Sequence, residues 1–400
     1  MVQRIPLKKA VIAVLLLIAV AVCVVVIGYF VAKITSTSRT SESPTASRQQ
    51  QVTQSQTPNC SDSDKIDYLY YDGNNPLWEP NNKFGIYIYA ENDKFFERAD
   101  ELVNSNGGEW GYVLIPYNVK DADYAKWRNV FETLNDKKLI PIVQLWDVDI
   151  DKYPEQTQKA ADFLNSFVWP IRYRYVSVYN EPNDKNFWYG KVDPAEYARI
   201  LSYTIDIFKQ ENENFYMLNG ALNASAPTGN DHMESFEYMK QMNDAVPGIF
   251  NKLDGWASHS YPQPNFSGSP YDTGKWSIKA YDSELKYLKD TLGVKKDLPV
   301  FITETGWAHA EGLTYNAGFL SDDEVAKNFK IAFEDVWNKD ARVRAVMPFT
   351  IRYDPPFDHF SWLNQDNVPY KHFDVIKSLD KVKGKPPMLK KATVSINNCQ

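Results

Sequence analysis

The chain is short of cysteine. It has three in 400 residues, with no CxxC pair and no Cys/His cluster of the spacing that zinc or a redox dithiol requires. Cys23 lies in an apolar run, which leaves Cys60 and Cys399 at the two ends of the remaining body. No metal and no cofactor is therefore expected. Basic residues do not exceed acidic ones: 44 Lys and Arg against 51 Asp and Glu give a net charge of −7. Nucleic acid is recognised through a clustered basic face, so no nucleic-acid partner is expected. Glycine is missing from "YAENDKFF" (89–96), the turn after the first candidate barrel strand. A nucleotide-binding open sheet would carry its phosphate loop there.

Aromatics are plentiful, at 14% of the chain with 11 Trp and 25 Tyr. Much of that must be core. An excess this large also suits a protein that binds flat, hydroxyl-rich ligands, because aromatic faces pack on C–H surfaces while Tyr and Trp keep a polar handle.

Four segments are expected. Residues 1–9 are a short basic segment containing Arg4, Lys8 and Lys9. Residues 10–32 are an uninterrupted apolar run of about 23 residues, enough for a hydrocarbon core of ~30 Å. A cleaved signal peptide would be shorter and would end in small residues, whereas Tyr29 and Phe30 stand near the end of this run. It reads as an uncleaved signal anchor, with the basic residues on the cytoplasmic side and the body outside. Residues 33–64, with "TSTSRTSESPTASRQQQVTQSQ", cannot bury a core and read as a disordered tether. Residues 65–400 are the globular body. A disulfide between Cys60 and Cys399 is one expectation for such an exported protein.

Within the body, apolar strands alternate with amphipathic helices. The candidate strands are 84–89, 111–117, 139–146, 175–181, 215–222, 255–261, 299–305 and 345–351. Between them, Tyr124, Trp127, Phe131 and Leu134 recur at helical spacing. Asp193 followed by Pro194, and Ser321 followed by three acidic residues, read as helix starts. Eight such units predict a parallel α/β protein closed into a (β/α)8 TIM barrel, with a doubly wound open sheet as the rival.

Chemistry in such a barrel gathers at the C-terminal strand ends. The fourth candidate strand ends in Asn180-Glu181-Pro182, the sixth in His259-Ser260-Tyr261, and the seventh in Glu304 with Thr305-Gly306-Trp307 behind it. The fourth and seventh strands lie across the mouth, so Glu181 and Glu304 are expected to face one cavity. Two carboxyls flanking one glycosidic bond can cleave it, one as acid and the other as nucleophile or base. The acid must keep its proton near neutral pH, which burial and a neighbouring carboxylate both favour.

"YNEP" (179–182), "HSY" (259–261) and "ITETGW" (302–307) together resemble the catalytic strands of the clan A glycoside hydrolases. These are retaining enzymes on (β/α)8 barrels, among them family 5 cellulases and mannanases and family 39 xylosidases. The resemblance implies Glu181 as acid/base, Glu304 as nucleophile and Asn180 as the partner of the sugar 2-hydroxyl. It implies Tyr261 as donor to the nucleophile and His259 as part of the acid/base network. The second strand ends "IPYN" and the third "QLW", without the Arg and His typical of family 5, so the resemblance fixes the clan and not the family.

Trp307, Trp362, Trp146 and Trp188 are candidate sugar platforms, with Phe187 and Tyr353 beside them. Asp147, Asp149 and Asp151 have calcium-loop spacing without its glycine or distal glutamate and read as a solvated acidic loop. Asn223 and Asn265 stand in glycosylation sequons, read as unmodified because a glycan there would obstruct the mouth. The expected protein is a monomeric, membrane-anchored, extracytoplasmic glycosidase acting on a carbohydrate substrate. A transglycosylase and a non-catalytic binding barrel are the alternatives.

Overall fold

The computed structural model describes residues 65–395. The basic segment, the apolar run at 10–32, the tether, Cys60 and Cys399 lie outside the described residues. Among the described residues no helix is long and apolar enough to cross a membrane.

An antiparallel ribbon pairs β1 (Lys65–Tyr71) with β10 (Leu389–Ser395). Between them run eight strand–helix units: β2 (Gly85–Tyr87) and α1 (Asp93–Val103), β3 (Gly111–Asn118) and α2 (Tyr124–Asp136), β4 (Leu139–Trp146) and α3 (Tyr153–Asn165), β5 (Arg174–Val178) and α4 (Pro194–Glu211). The second half holds β6 (Phe215–Asn219) and α5 (Ser235–Ala245), β7 (Trp256–His259) and α6 (Ala280–Asp290), β8 (Val300–Glu304) and α7 (Asp322–Ile331), β9 (Val343–Val346) and α8 (Lys371–Ser378). Strands β2 to β6 pair in parallel and in order, as do β7 to β9. Parallel bridges Leu218–Gly255 and Phe84–Val346 join the two arcs at both seams. The sheet therefore closes into a (β/α)8 barrel, and the open-sheet alternative falls away.

The helices start where local chemistry starts them. Asp123 accepts from Lys126 N–H at 2.9 Å, and Asp193 from Glu196 N–H at 2.9 Å ahead of Pro194. Ser321 and Glu324 form a reciprocal capping box. Trp127, Val130, Phe131 and Leu134 of α2 turn inward as their spacing predicts, while Tyr124 is half exposed.

The barrel interior is a second, aromatic core that includes Tyr112, Tyr175, Tyr216, Phe301 and Met347, with Trp78 below them. Trp78 comes from the segment after β1, which closes the floor. Arg344 at the start of β9 donates to Trp78 O at 2.7 Å and pairs with Glu79 at 2.5 Å. Lys385 N–H donates to Pro80 O, and Tyr71 hydroxyl to Trp169 O. The ribbon and floor thus attach at the N-terminal ends of the barrel strands, opposite the mouth. The ribbon had no counterpart in the sequence reading.

Candidate active site

β5 stops at Val178, three residues before the end read from sequence. The cause is backbone. Tyr179 and Glu181 adopt φ of +70° and +36°, a region that costs L-residues on the order of 1–3 kcal/mol each unless the surroundings impose it. Here they do. Glu181 N–H donates to Ala221 O at 3.0 Å. Buried Asn183 donates to Asn223 O and Met233 O, and its own carbonyl accepts from Asn223 N–H. Tyr197 hydroxyl donates to Val178 O at 3.0 Å and accepts from Gly220 N–H at 2.7 Å. The turn carries the Glu181 side chain into the mouth, where 8% of the residue remains exposed.

β7 and β8 supply the other half. A bulge between Ser258 and His259 sets His259 level with Glu304. His259 Nδ1 lies 2.8 Å from Glu181 Oε1 and 3.7 Å from Glu304 Oε2. One imidazole therefore spans both carboxyls. Tyr261 hydroxyl donates to Glu304 Oε2 at 3.1 Å. Gln144 on β4 donates to Asn180 Oδ1 at 3.1 Å, which leaves the NH2 as the donor end of the Asn180 amide.

Glu181, Glu304, Asn180, His259 and Tyr261 are thus brought together. Burial pushes Glu304 up to about 7; the Glu181 charge adds to this, while His259 and the Tyr261 hydroxyl oppose it. His259 is itself raised: burial works against the imidazolium, but the facing Glu304 and Glu181 outweigh it.

Three of the aromatic expectations require correction. Trp188, Trp307 and Trp362 are no more than 1% exposed and offer no face to a sugar. Trp188 packs edge-on against Tyr179 and Tyr197. Trp307 packs on Phe329 and donates to Gly268 O at 2.7 Å. Trp362 packs on Phe329 and His372. They hold the loops behind the mouth, as large apolar side chains next to strand ends commonly do. Trp146 and Phe187 are nearly half exposed. Tyr353 stands against Tyr89 and Phe349, and Phe349 against Tyr87, making a neutral aromatic wall on the Glu304 side. Gln144, Tyr87 and Phe349 were not singled out in sequence. All three sit on or just after barrel strands as uncharged residues in apolar runs, with no pattern to mark them. Asp147 and Asp149 of the acidic loop pair with Lys120 at 3.2 and 2.8 Å.

No family model matches this chain, and no curated protein does. Solved structures do. A Bacteroides uniformis β-glucuronidase matches with 11% identity and a TM-score of 0.51, over 78% of this chain and 37% of that one. B. uniformis β-glucuronidase 2, covalently bound to cyclophellitol-6-carboxylate aziridine, matches with 11% identity and a TM-score of 0.50 over the same shares. A family 128 (subgroup II) endo-β-1,3-glucanase from Pseudomonas viridiflava matches with 15% identity and a TM-score of 0.49, over 75% of this chain and 98% of that one. This chain spans just over a third of the length of the two β-glucuronidases. At these identities the likeness to them is one of fold: a (β/α)8 barrel.

Proposed function

We propose that this protein is a retaining glycoside hydrolase that cleaves O-glycosidic bonds by double displacement. One observation carries the reading: a single nitrogen, His259 Nδ1, within 2.8 and 3.7 Å of the two carboxyls. The two oxygens are then at most about 6.5 Å apart, no wider than the narrowest inverting pairs and compatible with the roughly 5–5.5 Å of retaining pairs.

The geometry suggests the roles. Glu304 attacks the anomeric carbon as Tyr261 steadies its Oε2. Glu181 gives its proton to the leaving oxygen, so that the glycosyl–oxygen bond breaks as the glycosyl–carboxylate bond forms. Glu181, now ionised, takes a proton from water, which attacks the same carbon and releases Glu304. Asn180, its amide oriented by Gln144, donates to the sugar 2-hydroxyl. A covalently occupied site in a protein with this fold, the B. uniformis enzyme, is consistent with this chemistry.

The finer part of the proposal is that the enzyme is monomeric and tethered by residues 10–32 with its body outside the cytoplasm. The apolar run preceded by Arg4, Lys8 and Lys9 supports this. Protease added to intact cells should then release the body; an intact, protected body would overturn the orientation.

The test of the chemistry is a pair of variants in the full chain, assayed on aryl glycosides. Glu304→Gln should abolish turnover of every substrate. Glu181→Ala should retain glycosylation with a dinitrophenyl leaving group and be partly rescued by azide, giving a glycosyl azide of unchanged anomeric configuration. Wild-type turnover by Glu304→Gln would sink the assignment. Glycan binding without turnover by the wild type would make it a binding protein, and transfer to a sugar acceptor a transglycosylase.

A further inference from the structure

We propose, building on the glycosidase reading, that the substrate is an uncharged glycan and that sugars bearing a carboxylate are turned away by charge. Apart from His259, which is buried and already faces Glu181 and Glu304, the groups around the two carboxyls at the mouth are neutral. Asn180 and Gln144 are amides, Tyr87 and Tyr261 hydroxyls, and Tyr89, Tyr353 and Phe349 form the aromatic wall. Among the described residues, several cations on the surrounding loops have partners of their own. Lys120 is held by Asp147 and Asp149, Lys185 by Asp231, Lys191 by Glu196 at 2.6 Å and Lys275 by Glu234. Arg352 lies over the ring of Phe95 on α1, behind the aromatic wall, and donates to Asn367.

A uronate or sulfated sugar requires a fork or point cation to replace its lost hydration. Here its charge would enter a partly buried mouth that already holds Glu181 and Glu304, where the one cationic group, His259, is taken up by those two carboxyls. Like charges a few ångströms apart in such a setting repel strongly. Neutral hydroxyls lose nothing of this kind and find amide and phenol partners.

The test compares three aryl glycosides of one sugar and one leaving group: the glycoside, the glycuronic acid and the acid's methyl ester. The gluco, galacto and manno series are run in both anomers on the full chain. The ester separates charge from size and from loss of the C6 hydroxyl. We expect kcat/KM for glycoside and ester to exceed that for the acid by ~100-fold at low salt, with the gap narrowing as salt is raised. An acid processed within tenfold of its ester overturns the inference while leaving the glycosidase reading intact. If no series is turned over, the glycosidase reading fails. Calorimetry with the S-linked analogues then reads the charge preference directly, and equal affinity for acid and ester overturns it.

Discussion

At the scale of single residues, Glu304 is placed under opposing demands. As the proposed nucleophile it must be ionised, yet burial and the Glu181 charge push it up to about 7 from an ordinary 4.5. The acid limb of kcat/KM should therefore lie near neutrality, with activity falling about tenfold per unit below it; because the pair is coupled, that limb belongs to the site as a whole. An acid limb near 4.5 in the free enzyme would show that His259 and Tyr261 restore Glu304 to an ordinary carboxyl. Tyr261→Phe removes a bond to the ionised form and should move the limb upward and lower kcat roughly ten- to a hundredfold. The raised value also bears on stability. Between pH 4.5 and 7 the folded chain holds a proton that the unfolded chain has released, so stability falls as pH rises through that window. Glu304→Gln should be the more stable protein above pH 7, by on the order of 1 kcal/mol or more, as a urea midpoint would show.

At the scale of elements, the end of β5 depends on its neighbour β6. A Cβ on Gly220 would sit 2.6 Å from Val178 O and 2.9 Å from both Tyr179 O and the Tyr197 hydroxyl. Nothing there is the loose end of a side chain, so Gly220→Ala should push the turn that aims Glu181. We expect kcat to fall tenfold or more with KM little changed, and a loss of roughly 1–3 kcal/mol. Unchanged kinetics would mean that the turn is set from elsewhere. The same turn marks where the sequence stopped being legible. All eight barrel strands could be read, because a strand buried on both faces is a plain apolar run, and the strand-end motifs named four side chains that the fold brings into contact, Glu181, His259, Tyr261 and Glu304. The positive φ at Tyr179 and Glu181 could not be read, because "YVSVYNE" alternates like strand throughout and only contacts from Ala221 and Asn183 bend it. The last barrel strand lies at Val343–Val346 rather than 345–351 for a similar reason: apolar residues continue into the mouth as wall, not strand. The buried tryptophans were misplaced because adjacency in sequence to a strand end does not say which way a ring turns.

At the scale of the whole molecule, a histidine cluster behind the mouth acts against Glu304. His309 is buried against His372 and donates from Nε2 to Ser361 O at 2.8 Å. Burial, aided by the His372 charge, holds it down at about 3 from an ordinary 6.5. Below pH 6.5 the unfolded chain takes up a proton that the folded chain refuses, so stability falls with acid at about 1.4 kcal/mol per unit toward pH 3. Glu304 gains stability over much of that window, so the contributions of these two groups should largely offset each other between 4.5 and 6.5. Glu304→Gln should steepen the dependence on pH, and His309→Phe in that background should flatten it again. A wild-type slope as steep as that of Glu304→Gln would contradict the compensation. The β1–β10 ribbon has a consequence of another kind. It brings the first and last described strands together at the pole facing away from Glu181 and Glu304. A bead, a chip or a fusion partner joined through either strand would hold the protein by its base, with the opening pointed at the solution. Long glycan chains could thread across the opening without meeting whatever holds the base, so immobilised and free protein should cleave long and short substrates in the same ratio.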